Sequence, residues 1–166
     1  IFAQMMLNDD ASPYDAAVLS GTPYRTLLHM NGGDLAKRHR TPGGPGTEWL
    51  SRDPEVWSAF ADDPLTFDAK VMKLFGVRET MRLLGRPSPR INRDLPVLIL
   101  IGSEDPLGGP KSVGLLARAY RRRGGLSDVE VKIYEGGRHE MFNEINRDEV
   151  VADLIAWLDA RVGAAS

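Results

Sequence analysis

The sequence predicts an α/β fold of three parallel strands with flanking helices and an inserted helical lid. Two stretches and their order carry that reading. Leu95-Pro-Val-Leu-Ile-Leu-Ile-Gly102 is a short unbroken apolar run rich in branched side chains, the pattern of a parallel strand covered on both faces. Asp128-Val-Glu-Val-Lys-Ile-Tyr134 alternates apolar and polar residues, as a strand near a sheet edge does. A helical period separates the two and another follows, and this order means a parallel sheet joined by right-handed crossovers.

From the start of the chain, Ile1-Phe-Ala-Gln-Met-Met-Leu7 is mostly apolar and helix-favouring. It reads as the continuation of a buried helix whose beginning lies upstream, so the chain is expected to be a fragment. It has no basic n-region, which argues against a secretory signal; the expected location is cytoplasmic. Tyr14–Ser20, before Gly21, is a third strand candidate. Between Thr22 and Arg93 the pattern changes to Pro, Gly and charge, with short helical stretches at Asp53–Phe60 and Lys70–Leu84. Some seventy residues do not sit as one bare loop in a compact domain, so this segment reads as a helical lid over the strand ends.

In the 95–102 strand, Pro96 fits at the first position, where no ladder donor is needed. The loop Gly102-Ser-Glu-Asp-Pro-Leu-Gly-Gly109 precedes a helix from about Pro110 to Arg123. Val113, Leu116, Ala117 and Tyr120 make one stripe of it. Arg121-Arg122-Arg123 before Gly124-Gly125 suits a solvated helix end, with cations at the negative pole. After the 128–134 strand, the loop Glu135-Gly-Gly-Arg-His-Glu140 leads to a last helix. There Asn146 and Glu149 can form a capping box, and Val151, Leu154, Ile155, Leu158 and Val162 form an apolar face.

The bulk composition narrows the function. In 166 residues, 42% hydrophobic and 27% charged, with a net charge of −2, one globular domain is the prior. A chain so near neutrality lacks the basic field that a phosphate backbone requires, so nucleic acid is not an expected partner. No apolar run approaches the ~18 residues of a transmembrane span. The absence of cysteine removes disulfides and thiolate metal sites.

Ligands of an open parallel sheet bind beyond the carboxyl ends of its strands. Asp105 and His139 both lie there. As a pair, the carboxylate would hold the imidazole in one tautomer and leave its far nitrogen free as a general base. Equally open from spacing alone is a loop aspartate capping a helix and an unrelated surface histidine. Other leads are thinner. His139-Glu140 begins like H-E-x-x-H, but Asn143 takes the fifth place. Lys111-Ser112 follows a strand as in a P-loop, but Pro110 replaces the glycine before the lysine. His29 and His39 read as surface residues of the lid. Met30, Met72, Met81, Trp49, Trp57 and Phe75 would either line a pocket under the lid or simply pack the lid.

Pro96–Pro106 followed by Val131–Glu140 resembles the C-terminal half of a serine α/β-hydrolase. Within that superfamily the chain is similar to the lysophospholipase/monoacylglycerol lipase group, the serine aminopeptidase S33-type hydrolases. Gly137-Arg-His-Glu-Met141, Asn143-Glu144, Arg147-Asp-Glu149 and Trp157-Leu158 resemble that group's tail. Glu48-Trp49-Leu50-Ser-Arg-Asp53 and Ala61-Asp-Asp-Pro-Leu65 resemble its cap. The resemblance implies core residues 1–22 and 93–166, with a cap at 23–92. It makes Asp105 the acid and His139 the base of a Ser-Asp-His triad.

No G-x-S-x-G occurs in the chain. Pro110-Lys-Ser112-Val-Gly114 is the nearest miss, and Ser20 lies at a strand end outside any elbow sequence. Because Ile1–Leu7 resembles the helix just behind the family's nucleophile elbow, the resemblance implies that the nucleophile lies a few residues before Ile1, and the chain alone is expected to be inactive. The implied substrate is a monoacylglycerol or lysophospholipid ester, with no cofactor or metal. As a partner the chain would need its own N-terminal half or another copy of itself. Without one, an inner strand edge near Asp15–Ser20 and the face around Val97–Ile101 are expected to be partly bare. Two rivals remain: an epoxide hydrolase or dehalogenase-type enzyme with an aspartate nucleophile, and a non-catalytic α/β-hydrolase-like binding module.

Overall fold

The computed structural model describes residues 1–30, 33–66 and 71–161. Its elements are α1 (Phe2–Asp9), β1 (Ala17–Ser20), α2 (Leu27–Met30), α3 (Pro54–Asp62), α4 (Val71–Arg82), β2 (Val97–Gly102), α5 (Gly109–Ala119), β3 (Val129–Tyr134) and α6 (Arg147–Asp159). The strands form one parallel sheet in the order β1-β2-β3, with Leu19 opposite Ile99 and Ile99 opposite Val131.

The sheet is centred on β2 because β2 is apolar on both faces. Val97, Ile99 and Ile101 pack with Leu7 of α1 and with Val113, Leu116, Ala117 and Tyr120. Leu98 and Leu100 pack on the other side with Met141, Val150 and Trp157. All six residues of β2 are buried. The bare face expected around Val97–Ile101 is thus not found, since α1 and α5 cover one side and α6 the other. Pro96 precedes the strand, and its carbonyl accepts Ala17 N at 3.0 Å.

Several local expectations change. The first helix is only half covered: Gln4 and Leu7 are buried, while Phe2 and Met6 face solvent. The first strand is shorter than Tyr14–Ser20 by three residues at its start, and Asp53 caps α3 through Glu55 N at 3.0 Å. In α4, Gly76 breaks the helical dihedrals at φ 75°, and Lys70, placed in that helix by its pattern, lies outside the described residues. The capping box does not form. Asn146 Oδ1 instead accepts Arg52 Nη2 at 2.7 Å, and its amide meets the Glu149 carboxylate rather than backbone. The inward side of α6 is correspondingly turned by one position. Val150 and Trp157 are buried and Leu154 and Leu158 half-buried, whereas Val151 and Ile155 are exposed; Val162 lies outside the described residues.

The outer end of β3 is tied to α6 through Asp153. Lys132 Nζ lies 2.5 Å from Oδ1 and Tyr134 Oη donates to Oδ2 at 3.0 Å. The Lys132 contact, against some opposing burial and with help from Tyr134, holds this carboxyl below the usual aspartate range. Its folded pKa is therefore below the unfolded value. The stabilisation is complete above about pH 4, the unfolded value, and disappears as pH falls through the folded one. Replacing Asp153 with Asn is expected to lower the unfolding free energy by about 0.5–1 kcal/mol near neutrality. Urea titrations should show the gap closing as pH falls below about 4; an equal gap in acid would mean that the carboxylate charge is not what joins α6 to β3.

Candidate active site

Gly102 and Tyr134 are partners at the carboxyl ends of β2 and β3, and the loops that leave them are zipped together. Ser103 N donates to Tyr134 O and Glu104 N to Gly137 O, both at 2.9 Å, and Gly136 N donates to Ser103 Oγ at 2.8 Å. The loops run so close that a Cβ on Gly102 would stand 2.0 Å from Gly137 O. Only glycine fits there.

This zipper brings Asp105 and His139 together. Asp105 Oδ2 accepts from His139 Nδ1 at 2.9 Å, and Asp105 Oδ1 accepts Leu107 N at 2.8 Å. The Asp105 side chain is fully buried and that of His139 is 20% exposed. A buried carboxylate on Nδ1 fixes the proton on that nitrogen and leaves the Nε2 lone pair for proton abstraction. The bland reading, an aspartate that only organises its own turn, accounts for Oδ1 but not for Oδ2. The end of β1 reaches the same place: at Gly21, with φ +53°, a Cβ would lie 2.4 Å from His139 O.

The segment just before α3 closes over the histidine. The Trp49 ring lies 4.9 Å from the His139 ring, tilted by 47°. Glu140 N donates to Leu50 O at 2.7 Å, and the Arg138 guanidinium donates to the carbonyls of Glu48 and Ser51. Arg52 Nε and Arg138 N both reach the buried Glu144 carboxylate, at 2.8 and 2.7 Å. Burial lowers the Arg138 pKa from its ordinary value, while Glu144 and Glu48 pull it back up. Glu48 is itself buried; burial pushes its carboxyl up, but hydrogen bonds from backbone and from Thr41 outweigh it and leave the pKa lowered. The roles of Glu144, Arg52 and Arg138 were not evident in the sequence. Their signal was an acidic residue between Asn143 and Ile145 in an apolar setting, and arginines with no helix face to occupy.

The remaining candidates separate cleanly. Ser112 is buried, and its Oγ accepts Tyr24 N at 2.7 Å. Ser20 is a ladder residue opposite Leu100. His29 lies beside Tyr24 with ring centroids 6.3 Å apart. His39 is less peripheral than expected, because its Nε2 bonds Glu104 O at 2.9 Å, next to Asp105. Of the six apolar lid residues, Met30, Met72 and Met81 line one cavity of about 290 Å³ with Ile1, Leu27 and Leu84. Trp49 and Trp57 instead flank the histidine loop, Trp57 under Arg138 at 5.7 Å, and Phe75 is 62% exposed.

Residues 3–146 match the family described as Serine aminopeptidase, S33. A monoacylglycerol lipase of Mycolicibacterium smegmatis is 32% identical over 163 residues, covering 87% of this chain and 53% of that protein. A monoglyceride lipase of Mus musculus is 30% identical over 120 residues, covering 70% and 38%. The chain spans about half the length, or less, of these curated relatives. Among solved structures, a thermostable carboxyl esterase from Bacillus coagulans superposes with a TM-score of 0.76 at 20% identity, covering 96% of this chain and 61% of that one. A soluble variant of Saccharomyces cerevisiae monoglyceride lipase gives 0.64 at 17%, covering 97% and 61%. These structural likenesses bear on the fold: three parallel strands with flanking helices, arranged as in α/β-hydrolases.

Proposed function

The chain belongs to the serine aminopeptidase S33 family of hydrolases, and on that footing we propose that it supplies the acid and base of a serine ester hydrolase. The observation that carries the reading is the buried Asp105 carboxylate on His139 Nδ1 at 2.9 Å. Asp105 acts as orienting acid and His139 as general base. The nucleophilic serine lies before Ile1, on the turn that leads into α1. His139 Nε2 takes the serine proton as the hydroxyl oxygen attacks the ester carbonyl, then returns it to the departing alcohol and leaves an acyl-serine. Water, activated by the same nitrogen, releases the acid.

The substrate proposed is a monoacylglycerol or lysophospholipid, and the segment 23–92 works as a cap. Relatives named as monoacylglycerol lipases and the methionine-lined cavity, of a size for part of an acyl chain, support this. Exposed Met6 lies in a hollow with Ala17 and Val18 of β1, an edge strand among the described residues. This supports a further strand pairing there, from upstream sequence or from a second copy.

The test is a chain extended N-terminally through the nucleophile. It is expected to hydrolyse monoacyl esters and to lose activity to a fluorophosphonate, while the 166-residue chain turns over none. Ester hydrolysis by the shorter chain that disappears in His139→Ala would overturn the placement of the nucleophile. No labelling by the fluorophosphonate, with capture of an epoxide or alkyl halide as an ester on an aspartate, would turn the assignment to the epoxide hydrolase or dehalogenase chemistry. An extended chain without turnover or labelling would leave the binding-module reading.

A further inference from the structure

We propose that Glu144 is the positioning residue of the base, an inference that rests on the reading of His139 as that base. Glu144 is completely buried, and its two oxygens take four N–H groups. Oε1 accepts Arg52 N at 3.2 Å and Arg138 N at 2.7 Å, while Oε2 accepts Arg52 Nε at 2.8 Å and Ile145 N at 3.2 Å. Charge-assisted bonds that fill a carboxylate's acceptor directions leave it one orientation.

This carboxylate holds the two chain segments that together enclose the imidazole. Arg138, just before His139, is bound through its backbone to Glu144 and through its guanidinium to the carbonyls of Glu48 and Ser51. Glu140, just after it, is bound to Leu50 O. Between those anchors Trp49 lies on the ring. Asp105 fixes only the Nδ1 end, so by itself it leaves the ring free to pivot about that atom. Where Nε2 points is then set by the backbone on either side and by the indole, and all three are delivered through Arg52 and Arg138 to Glu144. A base must come within about 2.6–3.2 Å of the proton it takes, and displacement by about 1 Å can cost 10²-fold.

The decisive variant is Glu144→Gln, which keeps the shape but turns an amide NH₂ toward N–H donors. Two readouts apply. In this chain, NMR of the His139 Cε1–H reads the ring-current shift imposed by Trp49, with Trp49→Leu as the reference lacking the indole. In the extended chain, kcat and KM are measured where the far-UV dichroism of variant and parent coincide. E144Q is expected to move the His139 resonance most of the way to the Trp49→Leu value. It should also lower kcat about 10–100-fold with KM within about twofold. An unmoved resonance and unchanged kcat, with only a lower melting temperature, would make Glu144 structural and overturn the proposal. If the extended chain hydrolyses no ester, the proposed function fails, and the resonance alone decides the positioning role. Should E144Q not fold, Arg52→Lys keeps the charge but loses the guanidinium fork, and it faces the same two readouts.

Discussion

Asp105→Asn, in a chain extended through the nucleophile, is expected to lower kcat by about 10⁴-fold with little change in KM. An asparagine can still accept Leu107 N at Oδ1, so the turn after β2 survives. At the Oδ2 position, however, it presents an amide donor to His139 Nδ1. The imidazole must then carry its proton on Nε2, the nitrogen that has to accept one from the nucleophile, and the carboxylate that would stabilise the imidazolium is gone. His139→Ala should be at least as damaging, and the double variant no worse than the worse single one, because the two groups act as a unit. Steady-state kinetics on a monoacyl ester decide the matter. A loss below about tenfold in D105N would reduce Asp105 to the turn-forming residue that its sequence position also allows.

Ile99→Ala is expected to cost about 3–4 kcal/mol of folding stability. Ile99 is completely buried and lies opposite Leu19 on one side and Val131 on the other. It also packs in the cluster that joins α1 and α5 to the sheet. Removing its branched end from the middle of a strand flanked by two others leaves a cavity that neighbours fixed in the ladder cannot close. A loss of that size is a large fraction of the ~5–15 kcal/mol that holds a domain together. Ile99→Val should cost about 0.5–1.5 kcal/mol. Leu28→Ala, at a side chain 81% exposed, should stay within about 0.5 kcal/mol of the parent. Urea unfolding of the three variants gives the series, and a loss under about 1 kcal/mol for I99A would mean that the site collapses around the deletion.

What the sequence made legible was whatever depends on neighbours along the chain. The run Val97–Ile101 announces β2 because both its faces are apolar, and Val113, Leu116 and Ala117, with Tyr120 just past the helix end, announce the inward side of α5; all of these are buried. Asp105 and His139 could be paired on paper because the strands before them are adjacent. The misses lie where a distant residue decides. The face of α6 could not be read from its period, because the helix is entered from a loop held by Arg52 and Glu144, 92 residues apart in the chain. Val151 and Ile155 are as apolar as Val150 and Trp157, so hydrophobicity gave no reason to prefer one stripe. Trp49 looked equally suited to a pocket wall or to lid packing, because its place on the imidazole depends on the backbone bond between Glu140 and Leu50. The first helix misled for the same reason: Phe2 and Met6 are apolar but face outward, and only Gln4 and Leu7 are buried.

The order of the strands along the chain also sets the entropy of assembling the site. β2 and β3 are joined through residues 103–128, whereas β1 meets β2 only after the excursion through residues 21–96. Closing the longer loop costs on the order of 1 kcal/mol more chain entropy, before any burial repays it. Asp105 and His139 follow the carboxyl ends of the two strands that the short closure joins. Trp49 and Arg52 arrive through the long one. The Asp105–His139 pair is thus the entropically cheaper part of the site to assemble, and the enclosure around its ring is the part whose order depends on the whole chain having come together.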